Sequence, residues 1–166
     1  MTDAEILKFE APQPHSKQSL RLWLRMLAST RIIEKKIRSH LRANCDSTLP
    51  RFDVLAALDR AQAELSMGEL SQLMLVSNGN VTGIINRLVE DGLVARRTAP
   101  NDRRTFYVSL TPQGHATFNK LAAQHEEIVD NMFVSLSDAE IDQAIHLLNK
   151  LNARSGAEET DPFDNS

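Results

Sequence analysis

Between Pro100 and Thr111 the chain reads PNDRRTFYVSLT, with Asp102, Arg103 and Arg104 together at a turn. Phe106, Val108 and Leu110 then alternate with Tyr107 and Ser109. Period-two alternation marks a half-buried strand, so the arginines project from the tip of a hairpin. Two guanidiniums at one tip cannot both be core groups, and Asp102 can brace one of them through a charge-assisted hydrogen bond. Arg96 and Arg97 stand at the opposite end of the same hairpin, so that four arginines face one aspartate from Leu93 to Leu110, a sum of +3. A thin basic probe suits the narrow, electronegative minor groove of DNA, although a basic turn standing alone is more often only solvated.

A second set of polar groups lies just upstream. On a helix whose apolar stripe is Val81, Ile84, Ile85 and Leu88, the opposite face presents Gly79, Thr82, Gly83 and Asn86, flanked by Asn80 and Arg87. Asparagine can form paired hydrogen bonds to adenine, and threonine can reach a phosphate or a thymine methyl. The two glycines each cost about 1 kcal/mol of helix propensity relative to alanine, a loss better tolerated where backbone must approach a bulky partner. The bland alternative is a solvated polar face.

Other chemistries find less support. Eight Lys or Arg oppose one Glu from Lys17 to Arg42, giving +7, and three bases oppose ten acids from Lys120 to Ser166, giving −7. The overall charge of −3 therefore hides a segregation along the chain. Arg25, Arg38 and Arg42, with Trp23 and Phe52 as apolar walls, form a candidate site for an anionic effector; ion pairing to the acidic C-terminal segment competes with that reading. Cys45 is the single cysteine, which excludes an intrachain disulfide and a cysteine-rich zinc site, and nothing but Arg42 is close in sequence to activate it. The five histidines, including His115 and His125 on one helix, lack metal-ligand spacing. No nucleophile elbow, phosphate loop or paired-carboxylate motif occurs, so the expectation is a protein that is no enzyme and carries no cofactor or metal.

The elements that must position these groups are mostly helical. Leu20, Leu24, Leu27, Ile33, Ile37 and Leu41 predict one long amphipathic helix. Thr48 with Pro50 opens a second helix, and Ser66-Met67-Gly68-Glu69 matches a capping box that opens a third. Ser77 can cap the helix that Asp91-Gly92 ends, which makes two short helices in helix-turn-helix order. Strands follow at Leu93 to Arg97 and Thr105 to Leu110, then a helix from Pro112 to about Phe133 and another from Ser137. No apolar run reaches the roughly 18 residues a membrane span needs, and the N-terminus lacks a basic-then-apolar leader, so the expected location is cytoplasmic.

A helix-turn-helix followed by a hairpin is a winged helix, and the block from Leu65 to Gly114 resembles the MarR (multiple antibiotic resistance regulator) family of winged-helix transcription factors. The resemblance rests on GELS, NRLVEDGLV, the D-R-R of the wing and LTPQG in order. It implies a mainly α fold with a small β-hairpin wing, flanked by long dimerisation helices. It further implies a homodimer that binds a pseudo-palindromic double-stranded operator, most often as a repressor released by a small anionic effector such as an aromatic acid or its CoA thioester. Ser77 to Asp91 becomes the recognition helix, with Ser77, Asn78, Asn80, Thr82, Asn86 and Arg87 as its contacts. Asp102 and Arg104 become the wing-tip pair, with Arg103 beside them and Arg96 and Arg97 near flanking phosphates. Gly83 departs from the basic or larger polar residue common there, which shifts phosphate anchoring toward Arg87 and the wing. The expected organisation is an arm over 1–16, a dimerisation helix over 17–47, a DNA-binding lobe over 48–114, further dimerisation helices over 115–154 and an acidic tail over 155–166. The competing reading is a winged-helix protein-interaction module without an effector.

Overall fold

The computed structural model describes residues 14–74, 81–99 and 102–154, with the side chains of 99, 102–104 and 154 excepted. The chain divides into two compact units between Lys36 and Ile37. Helix α1, His15–Asn44, contributes to both. In the first unit Leu20, Leu22, Trp23, Leu24 and Ile32 are each more than half exposed.

In the second unit α2 (Leu49–Ala61) is followed by β1 (Leu65–Ser66), α3 (Met67–Leu73), α4 (Val81–Glu90), β2 (Val94–Ala99), β3 (Asp102–Leu110), α5 (Pro112–Phe133) and α6 (Asp138–Arg154). The order β1-β3-β2 makes a three-stranded antiparallel sheet. The predicted two-stranded hairpin is thus extended at both strands and gains a third strand, because Leu65 and Ser66 pair with Val108 and Tyr107. The first helix stops at Asn44, short of the expected 47. Thr48 does occupy the N-cap of α2, but its side chain makes no cap hydrogen bond.

Helix α2 organises the core. Its sequence LPRFDVLAALDRA is apolar on several faces, and Leu49, Phe52, Val54, Leu55, Ala57 and Leu58 are all buried. They meet Leu41 from the end of α1, Leu70 of α3, Ile85 and Leu88 of α4, and Val94 and Val108 of the sheet, all buried. The 3.6-residue stripe of α4 and the alternation of β3 thus turn their apolar sides to one interior. Beside it Phe52 packs at 5.8 Å from Phe118 and 4.5 Å from His125, ring centroid to centroid.

The helix ends follow local chemistry. Ser66 Oγ accepts from the Glu69 amide at 3.3 Å while the Glu69 carboxylate accepts from the Ser66 amide at 2.7 Å, completing the predicted capping box. These bonds hold the Glu69 carboxyl below its ordinary range. After the C-terminal end of α4, Gly92 takes φ of +72°, and its amide and that of Leu93 return to Val89 and Leu88. That is the Schellman closure that glycine makes without strain.

The tightest constraint follows eighteen residues later. Thr111 Oγ donates to the Gly92 carbonyl at 2.7 Å and accepts from the Gly114 amide at 2.9 Å, while the Thr111 amide donates to the Leu93 carbonyl at 3.0 Å. A Cβ on Gly114 would lie 2.0 Å from the Leu93 oxygen. Only glycine lets the first turn of α5 approach the end of α4 this closely.

Gly114→Ala must therefore displace backbone, and we expect a loss of at least about 2 kcal/mol, read as a fall of several degrees in Tm. Gly68 in α3 has open space around it, its nearest foreign atom being 4.0 Å away. Gly68→Ala should leave Tm unchanged or raise it through a helix-propensity gain of up to about 1 kcal/mol. A second prediction concerns His125, whose Nδ1 is buried without a partner among the described residues. Burial, and secondarily His40, hold its imidazole below the ordinary 6.5. The unfolded chain takes up that proton first, so the stability tied to neutral His125 is complete above about pH 6.5 and is lost as pH falls through the folded value. Thermal denaturation should show wild type losing stability below about pH 6.5 more steeply than His125→Leu; parallel curves would contradict this.

Candidate nucleic-acid interface

The polar face of α4 and one edge of the sheet lie side by side. Thr82, Asn86 and Arg87 are exposed on α4, opposite the buried Ile85 and Leu88. Arg51 of α2 holds the end of this element through Asp91 at 2.6 Å. The helix is thus fixed at its C-terminal end by an ion pair and by the Gly92 turn, while its polar face stays open.

On the sheet, Val94, Arg96 and Thr98 pair with Leu110, Val108 and Phe106. Directly opposed residues share a face, so Arg96 continues the row that begins with buried Val94. At Arg96 that row emerges from the core. Its guanidinium lies over the Phe106 ring, 3.6 Å from the centroid, and Nη1 donates to Asn86 Oδ1 at 3.3 Å. Arg97 points to the other face. There it forms a two-pronged ion pair with Glu64 and lies 5.4 Å from the Tyr107 ring centroid. Hydrogen bonding from Arg97 holds the Glu64 carboxyl below its ordinary range.

The structure therefore brings together Thr82, Asn86, Arg87 and Arg96 from the set expected to touch DNA. Arg97 is engaged with Glu64, a partner that sequence reasoning missed because it lies thirty-three positions away. Ser77, Asn78 and Asn80 lie outside the described residues, as do the side chains of Asp102, Arg103 and Arg104. The backbone of Asp102 to Arg104 continues β3.

The expected effector residues do not form one pocket in the second unit. Phe52 is buried against Phe118 and His125, so it serves the core and offers no free wall. Arg42 lines a cleft of about 340 Å³ with Asp46, Ser47, Thr48, Arg51 and Asp91, and Arg38 is not among its walls. Trp23 and Arg25 belong to the first unit, where both are exposed. A larger cleft, about 510 Å³, opens between the end of α1 and the first half of α5. Its walls carry Lys120 together with Asn44, Gln113, Thr117 and Gln124, and Cys45 sits among them. Burial pushes the Cys45 thiol up against a weaker opposing pull from Lys120, so the thiol form prevails at neutral pH and the cysteine is a poor nucleophile. Among the described residues no cluster of three or more metal-ligating side chains occurs, and no helix is long and apolar enough to cross a membrane.

Comparison with known proteins is consistent with this geometry. Residues 46–105 match the model of the MarR family. The transcriptional repressor MdtR of Bacillus subtilis is 33% identical over 112 residues, covering 68% of this chain and 70% of that repressor. The homoprotocatechuate degradative operon repressor of Escherichia coli is 33% identical over 98 residues, 58% of this chain, and the match spans 66% of that repressor's length, just under two thirds. The solved structure of Bordetella bronchiseptica BpsR, described with the regulation of its DNA binding by 6-hydroxynicotinic acid, aligns with a TM-score of 0.65 at 27% identity, covering 77% of this chain and 98% of that one. The winged-helix architecture, the family match across the helix-turn-helix and wing, and the extended identity to MdtR establish that this chain belongs to the MarR family of transcriptional regulators.

Proposed function

We propose that this regulator is a repressor that reads a pseudo-palindromic operator as a homodimer and releases it when a small anionic effector binds. The observation that carries the reading is the joint display of Thr82, Asn86 and Arg87 on α4 with Arg96 on the adjoining strand. A major groove about 12 Å wide admits one helix, and a basic hairpin beside it can follow the backbone into the neighbouring minor groove. In this reading Arg104 is the minor-groove probe, Asp102 its brace, and Ser77, Asn78, Asn80 and Arg103 further contacts. Repression is supported by the names of the two relatives, MdtR and the homoprotocatechuate operon repressor.

Dimerisation is supported by apolar surface left open. Leu20, Trp23, Leu24 and Ile32 on α1 are more than half exposed, and Ile145, Leu147, Leu148 and Leu151 on α6 are exposed as well. Rows of that kind are covered by a partner in most soluble proteins. A two-fold pair places two recognition helices about one turn of DNA apart. An aromatic acid as effector is supported by the 6-hydroxynicotinic acid response described for BpsR. In this chain the cleft beside Lys120, whose walls also carry Asp46, Ala116 and Leu121, offers a cation for the carboxylate, and amides and a hydroxyl for ring substituents. Release then requires that the effector bind the non-reading conformation better, since equal affinity shifts nothing.

On a duplex selected by the wild-type chain from a randomised library, affinity should fall at least about a hundredfold between 50 and 200 mM salt, through counterion release. Arg104→Ala should weaken binding roughly tenfold while sedimentation still reports a dimer. Salt-indifferent binding, or an unaffected Arg104→Ala, would favour a protein-interaction module instead. For the effector, 6-hydroxynicotinic acid and related aromatic acids in excess should raise Tm by a few degrees, and Lys120→Ala should abolish that rise. A shift that survives Lys120→Ala places the carboxylate elsewhere.

A further inference from the structure

Arg96 stands among the groups expected to hold phosphates, yet its side chain already makes two contacts within the protein. One flat side of the guanidinium covers Phe106, and Nη1 reaches across to Asn86 on the recognition helix. Both contacts fix the plane of the guanidinium and direct Nη1 to Asn86. The two contacts tie β2, β3 and α4 together at the point where the apolar row Val94–Val108 runs out.

The bond to Asn86 has a chemical consequence. A guanidinium carries only donors, so the amide group it meets must be the oxygen. The Asn86 amide is therefore oriented with Oδ1 toward the wing, and its Nδ2 hydrogens are the groups left for an outside partner. The paired asparagine contact with adenine uses the oxygen to receive the N6 proton and the nitrogen to donate to N7. Here the oxygen is turned to Arg96.

We propose that Arg96 is a positioning residue for base reading: by holding the Asn86 oxygen toward the wing it makes Asn86 a hydrogen-bond donor, which favours guanine, the base with two acceptors in the major groove. The inference rests on the proposed reading of DNA by α4. It assigns the position read by Asn86 a different base from the one its residue type suggests alone.

The experiment selects duplexes from a randomised library with the full chain, in parallel for wild type, Asn86→Ala, Arg96→Ala, Arg96→Met and Arg96→Gln. Wild type should enrich guanine at one position of each half-site, by roughly tenfold over the other bases. Asn86→Ala and Arg96→Ala should both lose that preference at that position and keep the rest of the site. Arg96→Met preserves an apolar cover for Phe106 without a donor and should behave as Arg96→Ala, whereas Arg96→Gln retains a donor and should recover part of the preference. The salt slope of Arg96→Ala should equal that of wild type. Three results overturn the proposal: a preference unchanged in Arg96→Ala, adenine at the Asn86 position in wild type, or a salt slope reduced by about one phosphate per half-site in Arg96→Ala. If wild type enriches no sequence at all, the DNA reading fails together with this inference; enrichment indifferent to Arg96 removes this inference alone.

Discussion

The approach of Gly114 to the Leu93 carbonyl is the constraint on which the rest of the reading unit depends. Four elements converge on that carbonyl and its neighbour. Helix α4 ends there through the Gly92 turn, β2 begins there, β3 ends opposite it, and α5 starts over it through Thr111. Because the wing leaves and returns at one knot, its base is fixed relative to α4 by short hydrogen bonds and needs no long lever. The missing side chain at residue 114 is what lets the knot close, since a methyl group there would overlap carbonyl oxygen.

Charge is arranged around this frame by pairing rather than by quantity. Arg51 meets Asp91, and Arg97 meets Glu64, each joining segments that are distant in sequence. Both pairs are partly exposed, so their contribution to stability is small. Their value lies in geometry: one holds α2 against the end of α4, and the other holds the approach to β1 against β2. With those cations directed elsewhere, Arg87 on α4 and Arg96 on β2 remain exposed. A chain with net charge −3 can then still favour an anionic partner locally, because screening limits each field to about 10 Å.

How much of this was legible in the sequence depends on the range of the interaction. The Ser66–Glu69 capping box, the Gly92 stop and the Thr111–Pro112 start each need only residues within one turn, and each stands where local chemistry put it. The amphipathic stripe of α4 and the alternation of β3 were legible for the same reason. Strand β1 was not: two residues carry no periodicity, and Leu65 and Ser66 are strand only because β3 supplies their partners. Phe52 read as an available aromatic wall, but the identity of its neighbours depends on α5 folding back some seventy positions later. Arg97 and Glu64 likewise have no sequence signal linking them. Residue type and spacing placed Asn86, Arg87 and Arg96 near one another; the partners that Arg96 and Arg97 hold were not legible.

That difference changes how a recognition surface is read from residue types. An exposed asparagine taken alone can accept and donate at once, the pattern that suits adenine. Once a fixed cation stands on one side of the amide, its two ends cease to be equivalent, and the preferred partner follows from which end is left. The same holds for an arginine, which as a type suggests phosphate but, laid over an aromatic ring and hydrogen-bonded to a neighbouring helix, acts in the proposed reading through the group it orients. In this fold the stack on Phe106 holds the guanidinium plane, the plane holds the Asn86 oxygen, and the knot at Leu93 holds the strand from which the arginine extends. In the proposed reading, specificity is set by the stiffness of that chain of contacts as much as by the side chain that would touch the base.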